Sequence, residues 1–307
     1  MTNSLFNPNT HYAIHHLPPP ADTEHVKRRC LDVRYANLSE SQKLDIYLPD
    51  EGSGPFPVIV AIHGGAFMGC DKADIQVLPM LEALKRDYAV VSINYRLSWE
   101  ALFPALIHDA KAAVRWIRAN AHEFQFDPTK IAVWGGSAGG YLSLMLGITE
   151  GLPEFEDLSL GNEQQPSNVQ AVVDWFGPTD FLKMDEQLAA SDMAPPEDFA
   201  HNGANSPESL LLGQKITEIP EKVKAANPET YIRPGLPPFY IQHGNKDNTV
   251  PYQQSVNIAQ KLKSVLGEDH VKFEILPNAR HGDSLFETPE NVKKVLDFLD
   301  AVLNRKV

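Results

Sequence analysis

Lys130-Ile131-Ala132-Val133-Trp134-Gly135-Gly136-Ser137-Ala138-Gly139-Gly140-Tyr141 is the stretch that decides the fold. A short apolar run, a glycine-dense turn and a second apolar segment predict a strand, a sharp turn and a helix that begins at Ala138. Ser137 sits at the centre of a G-x-S-x-G pattern. A serine on such a turn has strained backbone and closely approaching neighbours, and Gly135 and Gly139 carry no Cβ to clash there. The turn lifts the hydroxyl to the carboxyl end of a sheet. It also aims the N–H of Ala138, at a helix N-terminus, at any oxygen that becomes negative. A short pattern of this kind recurs by chance, so its weight comes from what surrounds it.

Upstream, Pro57-Val58-Ile59-Val60-Ala61-Ile62 is a continuous apolar run, as expected of a strand covered on both faces. His63-Gly64-Gly65-Ala66-Phe67 follows it directly. Two glycines after a buried strand permit a tight turn with unpaired N–H groups. Gly64, Gly65 and Ala138 are therefore the candidate donors of an oxyanion hole. His63 precedes the serine, the wrong chain order for a base in this arrangement, and reads as a residue that fixes its loop.

A serine hydroxyl needs a base to take its proton. The histidines beyond Ser137 are His201, His243, His270 and His281. His201 lies in a polar segment, His243 ends a buried strand, and His270 enters a strand from the opposite edge of the sheet. His281, in Pro277-Asn278-Ala279-Arg280-His281-Gly282-Asp283, follows a strand on its carboxyl side, where open α/β sheets bind ligands. It is the candidate base. Asp247, in the loop after the preceding strand, is the candidate orienting carboxylate, with Asp180 as the rival. Phe67 and Trp175 fall at strand ends near the site and are candidate substrate-pocket residues.

The remaining segments fit the same scheme. Residues 28–35 and 43–48 read as an antiparallel edge hairpin, and residues 73–86 and 104–122 as helices. Strands are expected near 88–93, 169–176, 238–243 and 271–276, and helices near 252–266 and 289–304. Strands alternating with helices predict a doubly wound, mostly parallel sheet with an antiparallel N-terminal edge. Residues 181–233 are polar and rich in Pro, Ala and Glu, and read as a cap-like insertion over the carboxyl edge. Residues 1–27, with His11, His15, His16 and Pro18-Pro19-Pro20, read as an extended arm before the main domain of residues 28–307.

Composition narrows the function. A net charge of −13 disfavours nucleic acid and anionic membranes as partners. There is no apolar run long enough to span a bilayer and no secretory-type N-terminus, so a cytoplasmic protein is expected, a monomer or homodimer. The two cysteines, Cys30 and Cys70, read as free thiols. H-E-x-x-H and H-x-x-E-H metal patterns are absent, as is the G-x-x-x-x-G-K-[ST] phosphate loop.

Taken jointly, His63-Gly64-Gly65, Gly135-Gly136-Ser137-Ala138-Gly139-Gly140, Asp247 and His281 resemble the α/β-hydrolases of the esterase and lipase type. The hormone-sensitive-lipase-like esterases are similar. Closer still are the bacterial carboxylesterases grouped with bifunctional feruloyl and acetylxylan esterases, which Asn94-Tyr95-Arg96-Leu97, Phe103-Pro104-Ala105 and Gly177-Pro178-Thr179-Asp180 also match. Gly136 stands where the hormone-sensitive-lipase-like pattern has an acidic residue, and Ala66 where it has a third glycine. Both differences point to the feruloyl and acetyl esterase side. The resemblance implies a serine carboxylesterase with no cofactor, acting on a small-molecule ester of short or aromatic acyl groups, with a carbohydrate as a possible alcohol. An amidase or peptidase of the same fold, or a non-catalytic binder on the scaffold, are the alternatives.

Overall fold

The computed structural model describes residues 17–195 and 200–304. His11, His15 and His16 lie outside them.

Eight strands form one sheet: β1 (Arg28–Arg34), β2 (Lys43–Leu48), β3 (Phe56–Ile62), β4 (Ala89–Ile93), β5 (Phe126–Gly136), β6 (Ala171–Trp175), β7 (Phe239–Gly244) and β8 (Val271–Leu276). Their order is β1-β2-β4-β3-β5-β6-β7-β8. β1 and β2 pair antiparallel, as do β2 and β4, and every later pairing is parallel.

Alternation along β3 shows why the central strands are apolar throughout. Val58, Val60 and Ile62 enter one core, Ile59 and Ala61 the other. With both faces buried, a polar residue at either parity would lose its water without a partner. The longer helices are α1 (Ala105–Ala119), α2 (Ala138–Ile148), α3 (Met184–Ala190), α4 (Pro207–Leu212), α5 (Pro220–Ala226), α6 (Gln253–Leu266) and α7 (Pro289–Leu303). The apolar stripe of α1, Leu106, Ala110, Ala113, Val114 and Ile117, packs with residues of α2 and α6 into the first core. Val292, Val295, Leu296 and Leu299 of α7 pack into the second. Helices therefore cover both faces, as the alternating pattern predicts.

Two expected helices are broken. Residues 75–86 run as a 3₁₀ turn (Ile75–Val77), one α turn (Leu78–Leu81) and a second 3₁₀ turn (Glu82–Arg86). Pro79 supplies no N–H, so it suits a first turn and not a continuing helix. The helix expected over 104–122 stops at Asn120, whose side chain donates to Trp116 O at 2.8 Å before a short turn resumes.

Residues 181–233 are less peripheral than their polar composition suggests. Phe181, Met184, Leu211, Leu212, Ile216, Val223 and Ala226 are all buried in the first core. Residues 19–21 are hydrogen-bonded to residues 73–75. Ala21 N–H donates to Ala73 O at 2.8 Å, and Pro19 O accepts from Ile75 N–H at 3.0 Å.

Candidate active site

Ser137 joins the end of β5 to the start of α2 with φ 56° and ψ −122°. This left-handed backbone is strained for a residue with a side chain. The neighbouring contacts enforce it. A Cβ on Gly139 would lie 2.0 Å from Ile62 O, and one on Gly135 would lie 2.4 Å from the Gly139 backbone. The turn therefore seats directly on the end of β3. Ser137 N–H donates to Trp175 O at 2.8 Å, fixing the turn to β6 as well.

Three loops from separate strands converge on the hydroxyl. His281 Nε2 lies 2.9 Å from Ser137 Oγ, and His281 Nδ1 lies 2.7 Å from Asp247 Oδ2. An ionised carboxylate only accepts, so Nδ1 carries the proton and Nε2 is left to accept from the serine. Asp247 is fully buried. Its Oδ1 accepts from the N–H groups of Thr249 at 2.8 Å and Val250 at 2.9 Å. Burial alone would raise its pKa, but the imidazoles of His281 and His243 outweigh that and hold it well below the usual carboxylate range.

The other histidines have different places. His243 Nε2 lies 3.2 Å from Asp247 Oδ2 and 2.9 Å from Val250 O, with Nδ1 2.7 Å from Ser255 Oγ. It braces the Asp247 loop from beneath. His63 donates from Nδ1 to Gly64 O at 2.8 Å and stacks on Tyr95, with ring centroids 4.6 Å apart. His270 precedes β8 at the far end of that strand. Asp180 is tied to Asn227, whose Nδ2 donates to its Oδ1 at 3.1 Å, and its backbone N–H is held by Gln254. It takes no part in the Ser137–His281–Asp247 chain.

The donor loop needs a correction. Gly64 N–H donates to Gln76 Oε1 at 2.8 Å and so is already engaged. What Gly64 contributes is closeness: a Cβ there would lie 3.2 Å from Ser137 Cβ and 2.9 Å from Gly136 O. Among the described residues, the N–H groups of Gly65, Ala66 and Ala138 have no acceptor, and all three residues line the cavity beside Ser137. Ala66, with φ 54°, is a donor candidate the sequence did not single out. Its neighbour's engagement depends on Gln76, which comes from another loop.

The aromatic candidates also sort differently. Phe67 is buried, with its ring edge-on to Tyr141 at 5.4 Å, and it lines the cavity. Trp175 borders the cavity, but its indole packs on Trp134 at 4.9 Å and donates to Gln242 Oε1 at 2.7 Å within the second core. Phe176 is the ring that meets the site, 4.8 Å from the His281 ring. The cavity holds about 370 Å³, and Pro18, His201, Pro207 and Glu208 also line it.

An eight-stranded, mostly parallel sheet with a serine on a strained strand-to-helix turn defines an α/β-hydrolase. Comparison with known proteins narrows the class. Residues 44–262 match the BD-FAE family model, and the chain belongs to that family. It is 33% identical over 257 residues to the probable carboxylic ester hydrolase LipM of Mycobacterium tuberculosis, covering 83% of this chain and 56% of that protein. The chain thus spans little more than half the length of that curated relative. Among solved structures, a truncated carbohydrate esterase from gut microbiota superposes with a TM-score of 0.82 at 33% identity, covering 94% of this chain and 100% of the other. A bifunctional GH43-CE protein of Bacteroides eggerthii gives a TM-score of 0.79 at 33% identity, covering 90% of this chain and 35% of that one. Among the described residues, no helix is long and apolar enough to cross a membrane.

Proposed function

We propose that this chain is a serine carboxylesterase that hydrolyses short or aromatic acyl esters, with a carbohydrate as the alcohol. The observation that carries the reading is the continuous chain Ser137 Oγ–His281–Asp247, at 2.9 Å and 2.7 Å, beside unpaired backbone donors. In this reading Ser137 Oγ attacks the ester carbonyl while His281 Nε2 takes its proton. The N–H groups of Gly65, Ala66 and Ala138 receive the negative oxygen of the tetrahedral intermediate. His281 then returns the proton to the leaving alcohol, and the acyl group stays on Ser137. Water, deprotonated by His281, releases the acid. Asp247 holds the imidazole in the required tautomer and stabilises its charge.

A cavity of about 370 Å³ is small among ligand sites and supports a compact acyl group. The carbohydrate esterases among the similar structures support a sugar alcohol. Cys30 and Cys70 are both unpaired, which suits a reducing, cytoplasmic setting. The test is initial rates on p-nitrophenyl acetate, butyrate and decanoate, methyl ferulate and acetylated xylan, with Ser137→Ala as the blank. Turnover of acetate and butyrate that vanishes in the blank is expected. Equal rates in enzyme and blank on every ester, with turnover of a matched amide, would replace the esterase by an amidase.

A further inference from the structure

Glu287 lines the same cavity as Ser137 and His281 and has no part in the mechanism above. Its place is set from both sides. Upstream, Asp283 caps the turn Ser284–Phe286 by accepting from Leu285 N–H at 3.0 Å, and Phe286 is buried in the second core. Downstream, Thr288 caps α7 by accepting from Asn291 N–H at 3.3 Å. Glu287 is thus an exposed residue held between two capped units. It also lines a second hollow of about 640 Å³, between residues 78–86 and α7, so it stands where the two hollows adjoin. Among the described residues, no ion pair or hydrogen bond engages its side chain. Partial loss of water around the carboxylate, with no compensating partner, raises its pKa above the usual value.

The titratable residues lining the cavity are Cys70, His201, Glu208, His281 and Glu287; among the described residues, no lysine or arginine lines it. Burial pushes the Cys70 thiol up to about 12, so it is neutral. His201 Nδ1 lies 3.2 Å from Glu208 Oε1. Asp185, which accepts from the His201 backbone N–H at 2.9 Å, adds a second carboxylate to the same imidazole. His281 faces the buried Asp247 carboxylate at 2.7 Å. Each imidazole is therefore matched or exceeded by negative charge. The second hollow holds cations, but carboxylates other than Glu287 pair with them. Lys85 meets Glu82 at 2.7 Å, Arg86 meets Asp297 at 2.8 Å and Asp300 at 2.7 Å, and Lys293 meets Asp297 at 2.6 Å. Arg280 and Lys246, on the loops that carry His281 and Asp247, do not line the cavity.

We propose that Glu287 is a specificity-determining residue, whose carboxylate makes the ester cavity disfavour anionic substrates and favour neutral or cationic ones. The inference rests on the esterase reading and deepens it: the sugars or aromatic acids of its esters carry no free carboxylate near the reacting bond. An anionic group entering the cavity would give up water, meet no lysine or arginine, and approach Glu287 as a like charge. A neutral group meets no such repulsion, and a cationic group is attracted. Because solvent reaches Glu287, the effect is moderate and salt screens it.

The experiment compares kcat/KM within matched pairs on the intact protein, at about pH 8, where a carboxylate is ionised. One pair, 3-acetoxybenzoate and methyl 3-acetoxybenzoate, puts the negative charge on the leaving alcohol. A second, monomethyl and dimethyl terephthalate, puts it on the acyl group. A third, 3-acetoxy-N,N,N-trimethylanilinium and 3-tert-butylphenyl acetate, tests a cation. Intrinsic reactivity differs within each pair, so the readout is the change in ratio between wild type and variant. Glu287→Gln is expected to raise the anionic-to-neutral ratio of the first or second pair by about 3- to 10-fold, and to lower the cationic-to-neutral ratio by a similar factor. The anionic pair that moves identifies the side of the ester that Glu287 faces. Opposite shifts for opposite charges are a signature that a change of shape does not produce. Both shifts should shrink in about 0.5 M NaCl. Glu123→Gln removes the same charge before the amino end of β5, away from Ser137 at its other end, and should move no ratio by more than about twofold. Thermal melting reports that the variants are folded, and Glu287→Ala carries the same test if the glutamine variant is not. Anionic ratios that stay unchanged in both pairs overturn the proposal. So does a cationic ratio that does not fall, or shifts that Glu123→Gln reproduces. Ser137-dependent turnover of methyl 3-acetoxybenzoate, measured alongside, separates the outcomes. If it is present, only the charge selection fails; if it is absent, the esterase reading fails and the selection falls with it.

Discussion

Asp247→Asn removes one charge and changes one atom, and the surrounding contacts dictate how the new amide must sit. Asp247 Oδ1 accepts from two backbone donors, Thr249 N–H at 2.8 Å and Val250 N–H at 2.9 Å. An NH₂ group placed there would face two donors, so the asparagine carbonyl must take that seat. Its NH₂ then occupies the Oδ2 position, 2.7 Å from His281 Nδ1. His281 Nδ1 has to become an acceptor, which moves its proton to Nε2, and Nε2 can no longer accept from Ser137. The same NH₂ also faces the Nε2–H of His243 at 3.2 Å, a donor–donor contact, but the rotated amide would set its NH₂ against two backbone donors at the shorter distances of 2.8 Å and 2.9 Å. The fold keeps its backbone bonds while the base is held in the wrong tautomer. A loss of about 10⁴ in kcat is expected, equivalent to about 5.5 kcal/mol of transition-state stabilisation. Steady-state kinetics on p-nitrophenyl acetate measure it, with thermal melting to show a folded variant. A loss below about tenfold in a folded variant would refute the reasoning, because it would mean that Asp247 does not set the tautomer. Asp180→Asn, at the rival carboxylate, should by contrast change kcat less than about threefold.

Gly139→Ala places a Cβ 2.0 Å from Ile62 O and 2.8 Å from His63 O, both backbone atoms that cannot swing aside. It should destabilise the protein by about 3 kcal/mol or more and abolish turnover, and urea unfolding with an activity assay checks both. Gln76→Ala releases Gly64 N–H and the Gln76 tie to Asp74 at 3.1 Å, loosening the loop that carries Gly65 and Ala66. A drop in kcat of about 10- to 100-fold with little change in melting is expected from kinetics and calorimetry, and equal kcat would remove Gln76 from any positioning role. Asp174 is fully buried under the elbow, with Oδ1 accepting from Gly177 N–H at 2.9 Å and Oδ2 unpartnered. Burial pushes its pKa up to about 7, above the unfolded value, so its contribution to stability is intact below about pH 4 and is lost as pH rises through 7. Asp174→Asn does not titrate. It should gain on wild type between those limits, by up to about 4 kcal/mol above pH 7, and melting curves that stay superimposed from pH 4 to pH 8 would refute this.

What the sequence made legible was local or ordered along the chain. The turn around Ser137 is readable because each glycine answers a contact made within the strand–turn–helix unit or with the adjacent strand, such as Gly139 on Ile62 O. Asp247 and His281 are readable because each loop follows its own strand and neighbouring parallel strands deliver their loops side by side. Contacts between separate loops are not readable this way. Gly64 looks like a free donor until Gln76, from the loop beyond, takes its N–H. Trp175 and Phe176 show a different limit. Successive side chains on a strand point to opposite faces, so strand periodicity assigns these two rings to different sides of the sheet. Trp175, the last residue of β6, turns its indole into the second core. Phe176 follows with φ 46°, which breaks the alternation, so its ring shares the second core with Trp175, packing on Phe286 at 4.5 Å, and also reaches His281. Nothing in the residue types announces that break, because the strain is imposed by the packed elbow beside it. A Cβ on Gly136 would lie only 3.0 Å from the Phe176 ring. His201 extends the point. Read alone it is a histidine in a polar segment; in the fold it lines the cavity, and its Nε2 reaches Thr249 O in the Asp247 loop.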